Sequence, residues 1–144
     1  MSAYADTSFL VRIYSPHHDS AKALTWLRDA RAPLPVTPLH RHELRTAIRL
    51  RVFRREVTPD QRRLALEEFE SDLADNILIH APIPWTDAFR EAEKMGAAHA
   101  EILGVRSIDL LHVGIAAALR AEVFLTFDTR QGKLANVAGL RVLP

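Results

Sequence analysis

The chain has 144 residues, 48% apolar and 26% charged, with a net charge of +1 and a mean hydropathy of −0.06. That balance suits one globular domain spanning residues 1–144 with a single substantial core, rather than a disordered chain. There is no cysteine, which rules out thiolate catalysis, zinc–thiolate centres and disulfides. No apolar run approaches the roughly 18 residues of a membrane helix. The N-terminal MSAYAD reaches an acid without a basic segment or an apolar signal core, so a cytoplasmic protein without membrane attachment is expected.

Taken in order, Ala3–Ala5 is a short apolar strand running into Asp6-Thr7-Ser8. Ser15-Pro16 pairs a capping residue with a first-turn proline, and helical spacing follows at Ala23, Leu24 and Leu27. Leu34–Val36 is a second strand. Thr37-Pro38 then opens a helix with Leu44, Ala47 and Ile48 on one face, and Thr58-Pro59-Asp60-Gln61 opens another with capping-box spacing. Ile77–Ile79 is a third strand. A helix capped by Thr86 carries Phe89, Ala92, Gly96 and Leu103 and ends at Gly104, and Ser107 caps the next. Val123–Phe127 ends at Asp128, and Leu140–Leu143 closes the chain. The strands are almost continuously apolar, as in a parallel sheet covered on both faces. The order predicts an open α/β sandwich of about five parallel strands flanked by helices.

Four acids stand out from this pattern. Asp6 and Asp128 end strands, while Glu43 and Asp109 fall in the first turns of helices, and all sit beside apolar sequence. In open α/β sheets, ligands bind at the carboxyl ends of the strands, so the four are expected on one rim. Carboxylates next to buried apolar surface are costly unless paired, hydrogen-bonded or bound to a cation. The economical reading is a site for a hard, oxygen-seeking ion, Mg²⁺ or Mn²⁺. Against it, Asp6 and Asp128 taken singly are equally explained as helix caps, and Glu43 as a solvated helical residue.

The charge is uneven. His40–Arg63 holds eight arginines against three acids, net +5, and Glu67, Glu68, Glu70, Asp72 and Asp75 follow with no base among them. Arg41, Arg45 and Arg49 recur every fourth residue as one stripe, suited to RNA phosphates or to an acidic protein partner. Of the seven histidines, His40 and His42 alternate and so do not face each other on a helix, His17-His18-Asp19 reads as surface, and His112 as a satisfied histidine at the core edge.

The acidic set resembles that of the PIN domain, specifically the small VapC-type toxin ribonucleases of bacterial toxin–antitoxin pairs. The matching pieces are Asp6-Thr7-Ser8 after the first strand, Glu43-Leu44 after the second, Asp109 opening the alanine-rich Leu110–Ala118, and Thr126-Phe127-Asp128 with Arg130 just beyond. The resemblance implies a PIN fold, metal-dependent cleavage of RNA, a cognate antitoxin and a homodimer. It makes Asp6 and Asp109 direct metal ligands, with Glu43 and Asp128 joining directly or through water. Independently of the resemblance, the hydroxyls of Thr7, Ser8 and Thr126 are suited to orienting carboxylates or phosphate, and the charges of Arg41, Arg45, Arg49 and Arg130 to contacting RNA. Two other readings stay open: a PIN-fold module that binds RNA or protein without catalysis, and an Asp-based phosphatase or receiver domain. The second lacks its expected paired acids, because Ser8 stands where a phosphatase would need an aspartate.

Overall fold

A computed structural model describes residues 2–144. Its five strands are β1 Ala3–Ala5, β2 Leu34–Val36, β3 Leu78–His80, β4 Val123–Leu125 and β5 Arg141–Leu143. Every pairing is parallel, but the hydrogen bonds divide the strands into a set ordered β1-β4-β5 and a pair β2-β3. The chain itself divides into two compact units, Met1–Asp6 with Pro82–Pro144, and Thr7–Ala81.

In the Thr7–Ala81 unit, α1 (Thr7–Tyr14) and α2 (Ser20–Asp29) precede β2, and α3 (Pro38–Phe53) and α4 (Pro59–Ala74) precede β3. Thr37 and Thr58 each accept an N–H three residues on, with proline following in the first turn. The Ser15-Pro16 expectation fails. A helix ends there instead, and α2 starts at Ser20 after Asp19. The Ser15 hydroxyl and the Pro16 carbonyl are occupied by the Arg51 guanidinium, so neither starts a turn. Phe9, Leu10, Leu44, Ile48 and Phe69 are fully buried, and Tyr14 meets Phe69 edge-on at 5.5 Å.

The other unit holds β1, α5 (Trp85–Met95), a π-helical turn (Gly96–Ala100), α6 (Glu101–Leu103), α7 (Ser107–Ala118), β4, α8 (Thr129–Val137) and β5. The helix expected to be capped by Thr86 begins at Trp85, after Pro84, leaving Thr86 inside it. Ser107 is likewise the first helical residue rather than a cap. The Asp109 side chain satisfies the Arg106 N–H at 3.2 Å in its place. Gly104 takes the left-handed φ of 67° that ends α6. Gly114 permits the close crossing of α5 and α7, since a Cβ there would lie 2.4 Å from the Ala88 carbonyl oxygen. Among the described residues no helix is long and apolar enough to cross a membrane.

Candidate active site

Parallel pairing places the carboxyl ends of β1 and β4 on the same edge, with Ala5 opposite Leu125. Asp6 follows Ala5, and its N–H continues the ladder to the Leu125 carbonyl at 3.0 Å. Its side chain is only 2% exposed, so a carboxylate is held where desolvation is costly. Thr126, the residue after β4, donates its hydroxyl to Asp6 Oδ2 at 2.5 Å and accepts the Asp128 N–H at 2.9 Å. One hydroxyl thus ties the two strand ends together.

Asp128 is the N-cap of α8, where its Oδ1 accepts the Gln131 N–H at 3.0 Å. Gln131 is buried and sends its side-chain amide to the Asp109 carbonyl at 3.3 Å, joining α8 to α7. Asp109, with its side chain 13% exposed, also receives the Arg106 guanidinium 3.5 Å from Oδ2. A hydrogen-bonded series therefore runs Asp6, Thr126, Asp128, Gln131, Asp109. Asp109 and Asp128 line an open cleft of about 470 Å³ with Gly104, Arg106, Thr129 and Arg130. Two acids and two arginines on one cleft are an arrangement that can hold a cation beside a phosphate.

The donor set fits a hard divalent ion, because carboxylate and hydroxyl oxygens are what Mg²⁺ and Mn²⁺ select. Among the described residues the only three ligating groups within 4.8 Å of one another are His17, His18 and Asp19, so the carboxylates are set more widely. The histidine cluster is less suited to a cation, because the Arg12 guanidinium already lies 3.5 Å from Asp19. Burial, then Arg12, hold His17 below its ordinary pKa. His40 is no ligand candidate either. It is fully buried, and its Nδ1 accepts the Thr37 N–H at 3.1 Å as part of the α3 cap.

In the Thr7–Ala81 unit, Glu43 is half-buried on the second turn of α3 and accepts the Thr7 hydroxyl at 2.7 Å. Thr7 is the residue next to Asp6 in the chain. Ser8 is half-buried on α1, its carbonyl taking an Arg12 N–H at 3.0 Å. The arginine stripe is partly engaged. Arg41 and Arg45 both reach Glu70 Oε1 on α4, at 2.7 and 2.5 Å, and Arg41 lies 5.6 Å over the Phe69 ring. The hydrogen bond from Arg41 holds the Glu70 carboxyl below the usual range. Arg49 is exposed.

Arg106, Gln131 and Glu70 were not singled out from the sequence. Two of them left a signal there: Arg106 precedes Asp109 by three residues and Gln131 follows Asp128 by three, the spacing of reciprocal capping.

A family model, the PIN domain, matches residues 3–138. No curated protein matches the chain. Among solved structures it is similar to FitAcB from Neisseria gonorrhoeae, with a TM-score of 0.66 and 17% identity over 99% of this chain and 96% of that one. It is also similar to PAE2754 from Pyrobaculum aerophilum, with a TM-score of 0.61 and 16% identity over 99% and 89%. A third likeness is to VapBC2 from Rickettsia felis bound to a DNA fragment from their promoter, with a TM-score of 0.62 and 16% identity over 99% and 98%. At these identities the likeness concerns the fold.

Proposed function

Because this chain belongs to the PIN domain family, we propose that it is a divalent-metal-dependent endoribonuclease acting as the toxin of a toxin–antitoxin pair. The observation that carries the reading is the shared cleft of Asp109, Asp128, Arg106 and Arg130, tied through Gln131 and Thr126 to buried Asp6. Phosphodiester hydrolysis needs a nucleophilic water at neutral pH and neutralisation of charge growing on the phosphate oxygens. When bound, Mg²⁺ or Mn²⁺ supplies both.

In this reading Asp6 and Asp109 hold the ion directly, and Asp128 and Glu43 add ligands directly or through water. Asp128 or Glu43 accepts the proton released by the attacking water. Thr126 keeps Asp6 oriented by donating to it, and Thr7 does the same for Glu43. The Ser8 hydroxyl is a further group suited to orienting a carboxylate or phosphate. Arg106 and Arg130 hold the scissile phosphate by charge-assisted hydrogen bonds. In this reading Arg49, the exposed member of the stripe, contacts RNA, while Arg41 and Arg45 pair with Glu70. An antitoxin, a homodimeric state and a cytoplasmic setting follow from the resemblance to VapC-type toxins, with the likeness to a chain of the VapBC2 structure in support.

Purified protein is expected to cleave RNA with Mg²⁺ or Mn²⁺, to stop with excess EDTA, and to leave small phosphomonoesters intact. Phosphate release from phosphomonoesters without RNA cleavage would favour a phosphatase and overturn the proposal. Metal-bound protein that cuts no RNA would favour a binding module.

A further inference from the structure

Behind the carboxylates lies a buried polar pair that the proposed chemistry does not use. Tyr4 is 0% exposed on β1, and His112 is 3% exposed on α7. The tyrosine hydroxyl and His112 Nδ1 are 2.7 Å apart. The Tyr4 ring also stacks on Phe124 of β4 at 5.7 Å and 27°, so it is held between strand and helix. Tyr4 stands two residues before Asp6 and His112 three residues after Asp109.

These spacings matter because residues two apart share a face of a strand, and residues three apart share a face of a helix. Tyr4 and Asp6 therefore face the same way from β1, as His112 and Asp109 do from α7. Along the strand the step is about 6.6 Å, and along the helix about 4.5 Å. Both steps lead toward the same edge, because Asp109 is tied through Gln131 to Asp128 beyond β4, which runs parallel to β1. The two carboxylates thus lie one step beyond a hydrogen bond that joins the elements bearing them.

We infer that the Tyr4–His112 hydrogen bond is a positioning device that fixes where α7 sits along β1, and so sets the separation of Asp6 and Asp109 for a divalent ion. Apolar packing alone tolerates sliding. A buried hydrogen bond is directional, and breaking it strands a polar atom away from water. Mg²⁺ demands ligand oxygens at about 2.0–2.1 Å in near-octahedral array, so a small slip of α7 is felt at the ion. Tyr4 and His112 are positioning residues that touch neither ion nor RNA. The inference rests on the metal reading of the site.

The test is Mn²⁺ affinity, measured by titration of the full chain with circular dichroism as a check on folding. Tyr4→Phe keeps the stack on Phe124 and deletes one oxygen. It is expected to weaken Mn²⁺ binding about tenfold or more, the scale seen when groups supporting metal ligands are lost. The double variant Tyr4→Phe/His112→Leu removes both partners of that bond, and its Mn²⁺ affinity should stay low. Phe69→Leu, a core loss on α4, which bears none of the proposed ligands, should leave Mn²⁺ binding unchanged. If Tyr4→Phe does not fold, His112→Gln, whose amide sits one bond farther from the backbone than Nδ1, should show the same weakening. Wild-type affinity in folded Tyr4→Phe, or in folded His112→Gln, overturns the positioning role. Wild-type protein that binds no Mn²⁺ overturns the metal reading and the inference with it.

Discussion

Thr126 uses a single hydroxyl twice, donating to Asp6 and accepting from Asp128. Thr126→Val keeps the shape and removes both bonds. A hydrogen bond to a charged group is worth roughly 1.5–3 kcal/mol, so a loss of about 2 kcal/mol is expected in urea unfolding at pH 7. An unchanged midpoint would show that Asp6 is satisfied without it. Glu70 gives a pH-dependent case. Its folded pKa is depressed by Arg41, so its contribution is present above the ordinary carboxylate range and disappears as pH falls through the folded value. The stability gap between wild type and Glu70→Gln should accordingly close between pH 7 and pH 3. The gap itself will be small, because Glu70 is 46% exposed. Residue types were legible in the sequence where one residue carries one role. Asp128 carries two, as helix cap and as cleft acid, and spacing alone could not divide them. Glu70 was hidden because its arginine partners lie 25 and 29 residues away.

Among the elements, α7 bears Asp109 and His112 on one face and crosses α5 through Gly114 on another. Gly114→Ala places a methyl 2.4 Å from a backbone carbonyl that cannot rotate away. Overpacking costs typically 1–3 kcal/mol, so the melting temperature should fall well below that of Gly96→Ala, whose nearest neighbour is a Leu110 methyl at 3.4 Å. Equal melting temperatures would mean that α5 shifts freely. All five strands were legible to within two residues at either end, because each sits in a short apolar run, although only β1, β2 and β4 are largely buried while β3 and β5 are mostly exposed or half-buried. Their split into sets of three and two was not, because it depends on which edges meet rather than on any strand's composition. Ser15-Pro16 misled for a related reason: the distant Arg51 takes the groups a cap would have used.

For the whole molecule, the competing demands are RNA and a protein partner. If Arg106 and Arg130 contact phosphates, neutralising both as glutamine should lower the slope of log K against log salt by about 1.4, near 0.7 for each contact to a single strand. Neutralising Arg41, Arg45 and Arg49 removes the pairing with Glu70 as well as charge. That variant should lose stability, and its slope should fall by about one contact, that of Arg49. A slope unchanged by both variants would assign the basic surface to a protein partner. The measurement closest to the central claim is RNA cleavage with Mg²⁺ by Asp109→Asn at equal folded concentration. Asn keeps the size and the hydrogen bond from Arg106 but removes the charge. A loss of at least about a hundredfold is expected, the scale for a lost metal ligand or key electrostatic group. Undiminished cleavage would remove Asp109 from the mechanism and contradict the account.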